Sequence, residues 1–432
     1  MKWARHIWIY LVGFLALLPA GLRALTWQEV PAHDLDGAAV AAGKMLFTHE
    51  WTPNDPLSPR GDGLGPVFNA VSCVACHEQG GLGGSGGFEH NVTMFTLQPT
   101  RPGEMMRSGV VHSQANDGFA ESLKQVHADL PDIAQPVLRP FTTRSGMRGA
   151  GFDFRLPTGI GVSQRNTPAL FGARLIDEIT DRDIIAQERK QRLRWGLSPT
   201  GGESKPVGRA LRLADGRIGR FGWKAQSPTL LAFVQAACAN ELGLGNPGQP
   251  QPRPLGRPDY QPVGLDLTDK QCRDMTTFIA SLPKPVERAP EDSAARHEAE
   301  MGRTLFMKIG CADCHTPDLG SAEGIYSDLL LHRMGPDLEG GGFYYGEVIA
   351  RTSPTAPPAV PVQGPLADEW RTPPLWGVAD SAPYLHDGRA ATLPDAIQLH
   401  GGQGAASARA FSALAPAAQA QVIAFLKTLQ AP

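Results

Sequence analysis

The amino-acid sequence predicts a mainly α protein in which one helical unit occurs twice in tandem, with long irregular loops between its helices. Three observations predict it. A Cys-x-x-Cys-His motif stands in each half, as "SCVACH" from Ser72 to His77 and "GCADCH" from Gly310 to His315. Each motif follows a short amphipathic stretch, and two helical segments that align without a gap close the two halves. The 432 residues include 49 glycines and 38 prolines, a content that favours irregular connections over strands.

The first element in chain order is a leader. Lys2 and Arg5 precede an apolar run from Ile7 to Leu18, and small residues follow at Ala20 and Ala24, the layout of a secretory signal peptide, here residues 1–24. The run is too short for a comfortable bilayer span, so the sequence predicts an exported, periplasmic protein with no stable membrane span once the leader is cleaved. A net charge of -3 without a basic run argues against nucleic acid as a partner.

Export changes what the cysteines mean. In an oxidising compartment a bare CxxC becomes a disulfide, whereas CxxCH offers two thiols for thioether bonds to haem and an imidazole for the iron. With 6 Cys and 12 His, one such pattern arises by chance on the order of 0.002 times per chain, so two are a strong signal. Zinc would need further ligands, and no second CxxC lies near either copy. The sequence therefore predicts two covalently bound c-type haems, one on Cys73, Cys76 and His77, the other on Cys311, Cys314 and His315.

The flanking elements explain the duplication. "GKMLF" (Gly43 to Phe47) and "GRTLF" (Gly302 to Phe306) lead into the two motifs. "LTDKQCRDMTTFIASLPKP" from Leu267 and "LAPAAQAQVIAFLKTLQAP" from Leu414 close the halves, sharing Leu267/Leu414, Phe278/Phe425, Leu282/Leu429 and Pro285/Pro432. Apolar residues at helical spacing and a proline stop make each a closing helix. The fold class is thus two tandem cytochrome c-like helical domains, residues 25–286 and 287–432. The stretch from Glu178 to Tyr260 reads as an inserted surface loop. Cys238 and Cys272 bracket much of it, and in an oxidising compartment the two leftover thiols are expected to form a disulfide.

"RNTPALFG" (Arg165 to Gly172), "GRFGWKAQSPTL", "SDLLLHRMG" and "EWRTPPLWG" with "YLHDGRA" are similar to the di-haem oxidoreductase family, within the bacterial di-haem cytochrome c peroxidase/MauG superfamily. The resemblance spans nearly all of the mature chain. It implies a peroxidase that reduces hydrogen peroxide at the N-terminal haem with electrons entering through the C-terminal haem from a small periplasmic electron-donor protein. MauG-like or oxygenase-like oxidation of a protein or organic substrate, and plain electron relay, are the alternatives.

Residue by residue, the resemblance implies a distal ligand of the C-terminal haem fourteen positions after His386, which is His400, with Met334 as the competing ligand. A second imidazole in place of a thioether favours ferric iron and a low potential. His90, behind a glycine-rich segment, is a displaceable ligand for the other haem. Peroxide cleavage needs a group that moves a proton between the two oxygens. Where the peroxidases carry a Gln and a Glu, this chain reads "LIDEITDRDIIAQE", so Asp177, Glu178 and Glu188 are the acidic candidates. Arg165 and Arg371 are expected to serve haem propionates or domain packing. Phe171 or Trp223 takes the place of the aromatic residue between the haems. Calcium between the domains would fall to Ser381 and Pro383.

Overall fold

The computed structural model describes residues 35–97, 107–121, 138–142, 148–152, 159–196, 205–254, 257, 259–340 and 364–432. The leader lies outside the described residues. Among these residues no helix is long and apolar enough to cross a membrane.

The chain is mainly α. Helix α1 (Gly37–Thr48) starts at Asp36, whose carboxylate accepts the Ala39 N–H and so satisfies one of the free donors of the first turn. After the first CxxCH motif come α2 (Ala173–Glu178), α3 (Asp181–Trp195), α4 (Leu230–Leu242) and α5 (Asp269–Ser281). The second half supplies α6 (Ser293–Lys308), α7 (Leu393–Gln398), α8 (Ala405–Ser412) and α9 (Pro416–Leu426).

Corresponding residues build the leading and closing helices of each half. Gly43 of α1 lies so close to α5 that a Cβ would collide with the Asp274 carbonyl and Phe278. Gly302 of α6 would collide in the same way with the Gln421 carbonyl and Phe425 of α9. Asp274 and Gln421 hold equal places after Leu267 and Leu414. The aromatic contacts repeat as well. Phe47 meets Phe278 at 5.2 Å between ring centres, and Phe306 meets Phe425 at 5.3 Å.

Two features differ from the sequence expectation. The first half contains an antiparallel sheet, with Val92–Leu97 between Arg107–Val111 and Ile160–Arg165. Its central strand, VTMFTL, is buried on both faces, so it lacks the strict apolar/polar alternation by which a half-exposed strand announces itself. The supposed loop from Glu178 to Tyr260 contains α3 and α4. Leu230, Val234, Cys238 and Leu242 of α4 sit in the main core, which also takes in Leu319, Ile325, Leu329 and Trp376 from the second half. Burying that apolar surface is the strongest force joining the two halves.

A short antiparallel ribbon completes the junction. Glu369–Arg371 pairs with Leu331–Arg333, setting Trp370 opposite His332.

Candidate haem sites

Each CxxCH motif forms a tight turn in which the histidine N–H reaches back to the first cysteine carbonyl, at 3.1 Å in the first half and 2.9 Å in the second. The imidazoles are then oriented alike. His77 Nδ1 lies 3.1 Å from the Gly84 carbonyl and His315 Nδ1 lies 3.0 Å from the Tyr326 carbonyl. A donor role for Nδ1 fixes the tautomer and leaves Nε2 as the ligating atom. Burial pushes both rings down to about 4, so they are neutral, the ligating form, at pH 7. Phe47 and Phe306 stand over them at 6.3 and 6.5 Å.

Beyond this point the two sites diverge. His400, at the end of α7, has Nδ1 2.7 Å from the Ala396 carbonyl, and its ring faces His315 at 6.5 Å between centres. A metal–nitrogen bond of about 2 Å on each side, with roughly 1 Å from nitrogen to ring centre, places two ligands of one metal about 6 Å apart. The His315/His400 spacing fits an iron between them. Met334 lines the same cavity, with its methyl group beside Gly404 and His400. Among the described residues no imidazole faces His77 in this manner.

His90 is not opposite His77. Its Nδ1 lies 3.6 Å from Cys76 Sγ, and His332 Nδ1 lies 3.6 Å from Cys314 Sγ, so the two histidines flank the second cysteine of each motif. His332 carries no role in the sequence reading, yet it is buried in a hydrogen-bonded chain. Its Nε2 meets Asp328 Oδ2 at 2.8 Å and its Nδ1 meets Gln403 Oε1 at 2.7 Å, while Gln191 donates to the same Asp328 oxygen. Burial alone would lower its pKa. The neighbouring Cys314 and the Asp328 carboxylate outweigh that and hold it well above the ordinary value.

A cavity of about 300 Å³ joins Cys311, Cys314, His315 and His400 to residues of the first half. Its walls hold Phe171 and Trp223, the two aromatic candidates, and add Trp370 and Trp376. Trp370 is stacked on His386 at 3.6 Å, and Lys224 Nζ lies 3.6 Å from its ring centre. Arg165 lies over the same indole at 4.5 Å and donates to Ser163 Oγ and the Gln164 carbonyl. It serves the packing of the halves. Arg371 donates through Nε to the Gly222 carbonyl, but its buried Nη1 has no partner, and it lines the cavity. An unpaired buried guanidinium nitrogen is costly unless an anion meets it. A haem propionate is such an anion, so the donor set, the ligand spacing and this orphan nitrogen all fit haem.

The three expected acids belong to the scaffold. Asp177 Oδ1 accepts the Leu230 N–H at the start of α4, Glu178 pairs with Arg174 at 3.3 Å, and buried Glu188 is held at 2.8 Å by both Arg192 and Arg212. None lines the cavity. The i,i+4 partners Arg174 and Arg192 are legible in the sequence, whereas Arg212 and the Leu230 N–H arrive from other segments. Another carboxyl, only partly buried, stands beside the first motif. Glu241, in α4, accepts from Asn69 Nδ2 at 2.7 Å, its field acts on Cys76, and burial pushes its pKa up to about 7.

Cys238 and Cys272 are buried free thiols in the shared core, not a disulfide. They lie on α4 and α5, where apolar packing keeps them apart from oxidant and raises their pKa values. Ser381 and Pro383 lie on the cavity wall. The described residues bring no group of three acidic, histidine or cysteine ligands to them.

A family model described as "Di-haem oxidoreductase, putative peroxidase" matches residues 154–429, more than half of the chain. The chain belongs to this di-haem oxidoreductase family. Among solved structures, the diheme peroxidase BthA from Burkholderia thailandensis is 15% identical with a TM-score of 0.41, over 92% of this chain and 87% of that one. Hydrazine synthase of Kuenenia stuttgartiensis is 18% identical with a TM-score of 0.35, over 62% and 73%. A MauG-like protein associated with microbial copper homeostasis is 19% identical with a TM-score of 0.30, over 58% and 89%. No curated protein matches. The family match rests on the segment that holds the second haem motif, the junction and His400.

Proposed function

We propose that this member of the family is an exported peroxidase with two covalently bound c-type haems, one in each of two tandem domains. It reduces hydrogen peroxide at the His77 site with electrons entering at the His315/His400 site. The observation that carries the reading is the asymmetry of the sites: two imidazoles face each other across one, and among the described residues no imidazole faces His77 across the other. Bound haem supplies the iron-centred one-electron chemistry by which the oxygen–oxygen bond is reduced.

The chain's own groups divide the remaining work. His77 and His315, neutral and fixed through Nδ1, offer Nε2 to iron. His400 closes the second site against peroxide and keeps its potential low. Arg371, with its unpartnered Nη1 on the cavity wall, would meet an anionic group of the cofactor. Glu241, a part-buried carboxyl that accepts from Asn69 Nδ2 beside the first motif, is our candidate proton carrier in place of Asp177, Glu178 and Glu188. Each peroxide takes two electrons and two protons and leaves as two waters. The electrons come from a small periplasmic redox protein and the protons from solvent.

The test is anaerobic mixing of the fully reduced holoprotein with hydrogen peroxide. One peroxide should oxidise two haem equivalents. A His77 centre that stays six-coordinate and low-spin in every redox state, with no oxidation by peroxide, would overturn the peroxidase reading in favour of electron relay.

A further inference from the structure

The C-terminal half of α3 carries a surface that peroxide chemistry does not require. From Ile184 to Trp195 the only acid is Glu188, which is buried, whereas Arg189, Lys190, Arg192 and Arg194 are exposed. Leu193 stands among them and is 89% exposed. Arg189 and Leu193, and Lys190 and Arg194, are each four residues apart, so these side chains share one continuous helix face. Like charges at that spacing weaken the helix, and an exposed leucine adds nothing to folding. The chain as a whole has a net charge of -3, so the concentration of cations is local.

Its position gives the surface a purpose. Gln191 Nε2 donates to the Asp313 carbonyl at 2.8 Å and Arg194 Nη1 to the Asp313 carboxylate at 2.7 Å. Asp313 lies between the two attachment cysteines of the second motif. The basic face therefore borders the turn that holds the second haem. An apolar contact ringed by charge of one sign suits a transient redox encounter, in which opposite charge steers the partner and the apolar spot seats it.

We propose that this face docks a small acidic electron-donor protein, whose metal centre loses one electron to the iron of the His315/His400 site. The proposal rests on the reading that electrons enter there.

The test uses the holoprotein under anaerobic conditions in a stopped-flow instrument. It is mixed with a reduced acidic blue-copper protein or with a reduced basic cytochrome c, and reduction of the bis-histidine haem is followed by absorbance. The acidic donor should react faster, and more slowly as salt rises. Arg189→Glu with Lys190→Glu should lower its second-order rate at least tenfold at low salt, and Leu193→Asp should lower it as well. Lys44→Glu on α1 should leave the rate unchanged, and dithionite should reduce all variants alike. An unchanged rate in the charge-reversed variant, a faster basic donor, or first reduction of the His77 haem would overturn the proposal. Dithionite-reduced wild type is tested separately with peroxide. Failure there, with the charge and salt effects intact, would sink the peroxidase reading and leave the docking face standing.

Discussion

The first and second CxxCH turns share a backbone hydrogen bond, a phenylalanine over the histidine, a carbonyl on Nδ1 and a histidine beside the second cysteine. They differ in what surrounds that common frame. At the second turn His400 faces His315, and a buried Asp328–His332–Gln403 chain lies along Cys314. At the first turn the flanking histidine is partly exposed beside Glu89, and the nearby half-buried carboxyl, Glu241, is held by an asparagine. The same CxxCH turn thus occurs twice. The surrounding segments set an imidazole opposite His315 and, among the described residues, none opposite His77.

The comparison can be broken most severely at the attachment sites. Cys311→Ala with Cys314→Ala should leave one covalent haem, measured by intact mass and haem staining after denaturing electrophoresis, and abolish peroxide turnover. If both haems remained, the assignment of the second motif would be wrong. At the axial position, His400→Ala should convert the second haem from low-spin to a form that binds added imidazole. His400→Met should keep it low-spin and raise its potential on the order of 100 mV, within the roughly 0.8 V that axial ligands span. Unchanged spectra in both variants would point to Met334 as ligand, and Met334→Leu would then produce the loss.

The likeness of the two helix pairs is testable at matched glycines. Gly43→Ala and Gly302→Ala each push a methyl group into a facing helix carbonyl, and each should cost about 1–3 kcal/mol in unfolding free energy. A cost at only one site, read by denaturant unfolding, would show that the two crossings are not equivalent.

The smallest effect concerns Glu241. Its folded pKa is raised to about 7 from the ordinary value of 4.5, so the folded state holds the proton more tightly. Its contribution is fully present below about 4.5 and is lost as pH rises towards 7, with a slope of at most about 1.4 kcal/mol per pH unit. Glu241→Gln should flatten that part of the stability profile while keeping haem content. It should also slow peroxide turnover at the His77 site, and unaltered turnover would remove Glu241 as the proton carrier.

How much of this was legible in the sequence depended on the range of the interactions. The haem motifs, the leading and closing helices and the offset from His386 to His400 are read within short segments, where residue type and helical period carry the information. Glu188 illustrates the opposite case. In its own helix it looks like a solvated charge or a catalyst, but Arg212 arrives from another segment and fixes it as a structural ion. His332 was likewise silent, because Asp328 is local but Gln403 comes from the far side of the second half. The inserted stretch from Glu178 to Tyr260 was misread as loop because its glycine and proline content masked α4, whose apolar residues meet the core all round.

The sequence by itself determined the two CxxCH motifs, the mainly helical class and the correspondence of the leading and closing helices, since residue spacing and helical periodicity are local properties. Tertiary structure decided which imidazole faces which, that Cys238 and Cys272 are buried in the shared core without a bond between them, and that Trp370 packs against His386, Arg165 and Lys224. It also joined the halves through one core. Those outcomes depend on side chains brought together from distant segments by burial of apolar surface, a force with no direction of its own until the chain has packed.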